Sequence, residues 1–153
     1  MRVEQRLVEL GIELPSVPRP VANYVNCRRA GNLLFLQGVV ATHNGEQMFR
    51  GKVGADVSVE EAYQAARYCA LNHLAILANE LGDLDRVESV VKLTGYINAA
   101  PGFMDIPPIL DGASDLFVDV FGDVGKAARA GVGVAELAEV HPVETDLVVA
   151  IHG

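Results

Sequence analysis

One arginine, Arg129, stands alone in an apolar C-terminal run, Ala127-Ala-Arg-Ala-Gly-Val-Gly-Val-Ala-Glu-Leu137, and a carboxylate, Glu144, follows on the next apolar stretch. Side chains alternate between the two faces of a strand. Arg129 therefore shares a face with Gly131 and Gly133, while Ala130, Val132 and Val134 face the other way. A long guanidinium side chain beside two glycines has open space next to it. On the following strand Val143, Thr145, Leu147, Val149 and Ile151 form the apolar face, which leaves Glu144 and Asp146 on the opposite one. If the two strands pair, a fixed cation and an acid flank one small cavity suited to a small anionic molecule. A structural ion pair across neighbouring strands is the competing reading of the same two residues.

The elements that must position these groups are marked by local signals. Val3, Leu7 and Leu10 sit at helical spacing before Gly11, which predicts a short helix over 3–10. Pro15, Pro18 and Pro20 make an extended lead-in. Residues 24–29 read as a strand, Gly31-Asn32 as a tight turn and residues 33–40 as the hairpin partner. Asn44-Gly45 signals a second turn, with a short strand over 47–50. Ser58-Val-Glu-Glu61 has capping-box spacing, and the helix it opens should run to Leu81 with Gly82 as its stop. Residues 87–97 form a β-branched strand. Pro101, Pro107 and Pro108 exclude regular structure from the loop that follows. Leu110, Ala113, Leu116, Phe117, Val120 and Phe121 mark a second amphipathic helix, stopped by Gly122. The order predicts one α+β domain over 1–153, with 1–19 as an N-terminal extension and two helices on one face of a mixed sheet.

Composition narrows the partners. Half of the 153 residues are hydrophobic and 21% are charged, so some apolar surface should be covered by further copies of the chain. The net charge of −8, with Arg28-Arg29 as the one adjacent basic pair, argues against nucleic acid, whose phosphates need clustered Lys and Arg. Cys27 and Cys69 have neither metal spacing nor a disulfide framework. No apolar run reaches membrane-spanning length, and the charged N-terminus is unlike a signal peptide. The expected compartment is the cytoplasm. His43, His73, His141 and His152 are scattered without metal or triad spacing. His43 and His141 are expected at the surface, and His73 packed in the long helix. Gly131-Val-Gly133 lacks the third glycine and following helix of a nucleotide loop.

Several blocks in order carry a family resemblance: Pro20-Val-Ala-Asn-Tyr24, Phe35-Leu-Gln-Gly38, Val90-Val-Lys-Leu-Thr94, Asp111-Gly-Ala-Ser-Asp-Leu-Phe117, and Ala128 to Leu137 with Val143-Glu144. From about Val21 onward the chain resembles the RidA (YjgF/YER057c/UK114) family, in its longer branch. The resemblance implies a chorismate-mutase-like fold, assembled as a trimer around a β-barrel with ligand sites in the clefts between subunits. It implies hydrolysis of reactive enamines and imines, such as 2-aminoacrylate and 2-iminopropionate, to 2-keto acids and ammonia, with no metal or organic cofactor. Carried over residue by residue, Arg129 anchors the substrate carboxylate and Glu144 handles the attacking water. Tyr24 closes the pocket, and Gly38 lets the backbone approach the ligand.

The chain departs from the family pattern beside that pair. Ala128 replaces the usual proline before the arginine. Gln37-Gly38-Val39 stands where Ser-Gly-Gln is common. Gly131 takes a position often held by Cys or Thr, and Ser114 that of a pocket asparagine. Gln37, Gly38, Ser114 and Gly131 are the expected substrate-lining residues, and the changes at Gln37, Ser114 and Gly131 point to a different or bulkier substrate. Two alternatives accompany the deaminase reading. The same cleft could serve a non-catalytic carboxylate-binding trimer, or, less in keeping with the acidic charge, an endoribonuclease.

Overall fold

The computed structural model describes residues 2–153. Its elements are three α-helices, α1 (Val3–Glu9), α2 (Val59–Leu81) and α3 (Pro107–Phe121), and seven strands. The strands are β1 (Cys27–Ala30), β2 (Leu33–Val40), β3 (Thr42–His43), β4 (Glu46–Gln47), β5 (Val87–Asn98), β6 (Ala128–Val134) and β7 (Val143–Ile151). Helix α2 begins as its sequence dictates. The Ser58 hydroxyl accepts from the Glu61 N–H, and the Glu61 carboxylate accepts from the Ser58 N–H, both at 3.1 Å. Gly82 ends the helix in the left-handed region at φ 75°, a conformation that costs glycine little.

Three boundaries differ from expectation. Pro107 and Pro108 do not lie in a loop but occupy the first turn of α3, where a missing N–H costs nothing and a fixed φ favours the helix. The strand expected over 24–29 starts only at Cys27. Ahead of it the Tyr24 N–H turns back to the Ala22 carbonyl at 2.9 Å, and the Asn26 amide donates to the Pro18 carbonyl at 2.8 Å. The strand expected over 47–50 is reduced to β4, which pairs with β3 around Asn44-Gly45. Both turn residues have positive φ, as a two-residue hairpin requires.

The main sheet has the order β1-β2-β7-β5-β6, with β6 parallel to β5 and the other neighbours antiparallel. Helices α2 and α3 cross between parallel strands, from β2 to β5 and from β5 to β6. Both lie on one face and bury Leu74, Leu77, Leu110 and Phe117 against Leu93, Ile97, Leu147 and Ile151. They cross at Gly112, where a Cβ would stand 2.0 Å from the Tyr63 carbonyl oxygen. The expected α+β domain with a mixed sheet is therefore the observed one.

The other face of the sheet carries no helix. Phe35 and Val132 are each 46% exposed there, beside Lys92, Thr94 and Tyr96. Between β6 and β7 the chain makes a strained turn, with Glu139 and Val140 both at positive φ (53° and 56°). Gln47 and Arg50 donate to the Glu139 carbonyl, and the Gly51 N–H to that of Val140 at 2.8 Å. The turn carries His141 inside, where it is 2% exposed rather than at the surface as expected.

Candidate functional site

The face parity of Arg129 is the expected one. The register sets Arg129 opposite Leu93, Gly131 opposite Gly95 and Gly133 opposite Ile97, so all three lie on the helix-covered face. Glu144 pairs with Tyr96 and lies on the open face. The two strands do not pair, because β5 runs between β6 and β7. Arg129 and Glu144 are thus two strands apart, roughly 10 Å across the sheet, and on opposite faces. Within one chain they neither flank a single cavity nor form an ion pair.

Arg129 is held by the N-terminal half of α3. Its Nη1 donates to Asp111 Oδ1 at 2.8 Å and to Ser114 Oγ at 3.1 Å, and its Nη2 to the Pro107 carbonyl at 3.2 Å. Asp111 and Ser114 are three residues apart, hence on one face of the helix. A guanidinium has five N–H donors in a fixed fork. Three are used, which leaves the Nε–H and one Nη2–H without a partner among the described residues. Those two nitrogens form one edge of the fork, the geometry that takes a carboxylate side-on. The Arg129 side chain is 25% exposed on β6, the edge strand of the sheet.

Ser114 thus supports the arginine, and its hydroxyl proton remains free to donate. Gly131 does not leave the expected open space. A Cβ there would stand 2.5 Å from Leu110 Cδ1 and 3.0 Å from Ile106 Cγ2, so its missing side chain admits the packing of α3. Asp111 escaped the sequence analysis as a contact of Arg129, although its spacing to Ser114 was a usable signal.

The other expected residues converge elsewhere. Tyr24, Gln37, Gly38 and Glu144 line one open recess of about 480 Å³, together with Arg28 and Phe35. The recess exists because β2 has a bulge opposite β7 between Leu36 and Val39, which displaces Gln37 and Gly38 from regular pairing. The Gln37 side-chain amide donates to Asn26 Oδ1, tying the bulge to the lead-in before β1. The Tyr24 hydroxyl accepts from the Val21 N–H at 3.3 Å, which closes a short loop ahead of β1. A Cβ at Gly38 would lie 2.7 Å from Glu144 Oε2, so the glycine leaves room for the carboxylate where it now sits.

Electrostatics single out Glu144 among the carboxylates. Burial, and then the neighbouring charge of Asp146, raise its pKa above the ordinary carboxylate value. Asp146, partly exposed, has no arginine partner among the described residues and accepts from the Tyr96 hydroxyl at 2.9 Å. That bond, followed by burial, raises the phenol's pKa. Burial lowers His73 to about 3, and its Nε2 lies 3.0 Å from Thr145 Oγ1 in the core. Among the described residues no group of three or more His, Cys, Asp or Glu could hold a metal ion, and no helix is long and apolar enough to cross a membrane.

With this geometry the chain matches, over residues 4–145, the family model described as "YjgF/chorismate_mutase-like, putative endoribonuclease". The chain belongs to the YjgF/Rid family. Protein TCP17 of Trypanosoma cruzi is 40% identical over 152 residues, covering 99% of this chain and 95% of that protein. The Agrobacterium tumefaciens protein Atu1372, solved with its function unknown, is 40% identical with a TM-score of 0.91, over 98% of this chain and 92% of its own. A Shewanella oneidensis structure carrying the same endoribonuclease label is 31% identical with a TM-score of 0.95, over 99% and 100% of the two chains. YjgF/Rid membership and the chorismate-mutase-like α+β fold are therefore as expected from the sequence.

Proposed function

We propose that the protein hydrolyses small reactive enamine or imine carboxylates, of the 2-aminoacrylate and 2-iminopropionate type, to 2-keto acids and ammonia. The observation that carries this is Arg129, fixed by Asp111, Ser114 and Pro107 with one donor edge unpartnered. A substrate carboxylate takes that edge through two parallel hydrogen bonds, which fixes the adjacent C=N carbon in position. An imine carries its own electrophilic carbon, so water suffices as the nucleophile. Glu144 accepts a proton from that water as the C–O bond forms and delivers it to the imine nitrogen, giving a neutral carbinolamine. It then takes the carbinolamine's hydroxyl proton and passes it to the nitrogen as the C–N bond breaks, which releases ammonia and leaves the C=O of the keto acid. A carboxylate with a raised pKa is suited to both transfers.

Because Arg129 and Glu144 lie on opposite faces of their own sheet, they meet only across two subunits. The site is a cleft of a homotrimer, in which β6 and α3 of one protomer supply Arg129, Ser114 and Gly131. The recess of its neighbour supplies Glu144, Tyr24, Gln37 and Gly38. The uncovered sheet face is the surface available for that assembly.

An endoribonuclease activity, in keeping with the label borne by relatives, is weakly supported by a chain of net charge −8. The test is ammonia and keto-acid release from imines generated in situ by a pyridoxal-phosphate dehydratase. Acceleration by the protein that is lost in Arg129→Ala is the expected result. Saturable keto-acid binding without acceleration would instead make it a carboxylate-binding module.

A further inference from the structure

The recess around Glu144 holds a second cation, Arg28. Strand alternation turns Cys27 towards the core and Arg28 to the open face, directly opposite Phe35 on β2. Its side chain lines the recess together with Tyr24, Val25, Phe35 and Glu144. Among the described residues only Arg2, Arg6, Lys52 and Arg129 of the 12 basic residues have a carboxylate partner, and of the eight without one Arg28 alone lines this recess. In a chain with 20 acidic and 12 basic residues, an arginine left unpaired inside a recess is a specific local attraction for an anion.

In one protomer the recess is open, at about 480 Å³, and Arg28 and Glu144 both line it, so a substrate held at Glu144 and longer than a three-carbon imino acid can extend towards Arg28. Val25, Phe35 and Leu36 give the recess lining apolar surface beside the polar Tyr24 and Gln37. A hydrocarbon spacer can lie on that apolar part, and a carboxylate at its far end is attracted to Arg28, the one cation of the lining, and repelled by Glu144.

We propose that Arg28 is a specificity residue and that the preferred substrate class is a dicarboxylate, with one carboxylate on Arg129 and the other, across an apolar spacer, on Arg28. This rests on the reading of Arg129 as the first carboxylate's anchor. It goes beyond that reading in assigning the far end of the substrate.

Calorimetric titration with 2-oxoglutarate and 2-oxopentanoate tests it, since these keto acids share a chain length and differ in a terminal carboxylate against a methyl group. Wild type should bind 2-oxoglutarate about tenfold or more tighter, as a charge-assisted pair provides. Arg28→Gln, at an exposed strand position, should abolish that preference and leave 2-oxopentanoate binding unchanged. Equal binding of the two by wild type, or a preference that survives in Arg28→Gln, overturns the assignment. The imine assay, run in parallel, separates the two claims. Turnover without dicarboxylate preference removes Arg28 alone. An Arg28-dependent preference without turnover removes the hydrolytic reading and keeps the dicarboxylate site. Binding of neither keto acid removes both.

Discussion

The Arg129 guanidinium spends three of its five donors on its own chain and keeps one edge free. Such fixing matters more for geometry than for stability, because the Asp111 pair is half exposed and exposed pairs contribute about 0–1 kcal/mol. Glu144 is the complementary case. Its ionisation is disfavoured in the folded protein, so it destabilises the fold as pH rises through its raised pKa. Glu144→Gln should therefore leave the Tm at pH 8 unchanged or raised, while kcat for imine hydrolysis falls by about 10²–10⁴, as for loss of a general acid–base. A lowered Tm with full activity would assign Glu144 a structural role instead. Gly38→Ala tests the same group from the backbone side. The added methyl cannot coexist with the present carboxylate position, so kcat should drop with little change in far-ultraviolet circular dichroism.

Among the elements, those governed by neighbours in sequence were legible. The capping box of α2, its stop at Gly82 and the common face of Arg129, Gly131 and Gly133 follow from local spacing and parity. Replacing Ser58 by Ala should cost about 1 kcal/mol in urea denaturation, through loss of a bond to the Glu61 N–H. What the sequence did not disclose depends on pairing between distant segments. Strand β6 lies beside β5 and not beside β7 because α3 returns the chain in parallel, and nothing near Arg129 or Glu144 announces that order. The recess depends on a bulge in β2 and on Asn26 holding the lead-in, so Gln37 and Tyr24 met there for reasons outside their own neighbourhoods. The turn over 138–140 gave no signal either. Val140, β-branched at positive φ, is held there by contacts from residues 47–51, and such backbone costs about 1–2 kcal/mol for a residue with a Cβ. Val140→Gly should accordingly raise the Tm, measured by scanning calorimetry, by relieving that strain.

For the whole molecule, burial of one ionisable group sets a pH limit. His73 is held neutral in the core with its pKa lowered to about 3. The unfolded chain takes up a proton below the ordinary histidine value of about 6.5. Stability should therefore be lost as pH falls from about 6.5 towards 3, at up to about 1.4 kcal/mol per pH unit. His73→Gln, which keeps a donor for Thr145, should flatten that part of the Tm–pH profile. The uncovered sheet face sets the other global property. With Phe35 and Val132 exposed on it, the chain should sediment as a trimer.

The proposed hydrolysis depends on that assembly, which would bring Arg129 of one protomer and Glu144 of the next to one substrate. Mixing two inactive variants tests it most directly. Arg129→Ala and Glu144→Gln, unfolded together and refolded as a mixture, should regain imine hydrolysis at about a quarter of the wild-type rate. In a random cyclic trimer one cleft in four then receives an intact arginine from one protomer and an intact glutamate from the next. Mixed trimers that remain as inactive as either parent would contradict a site shared between subunits.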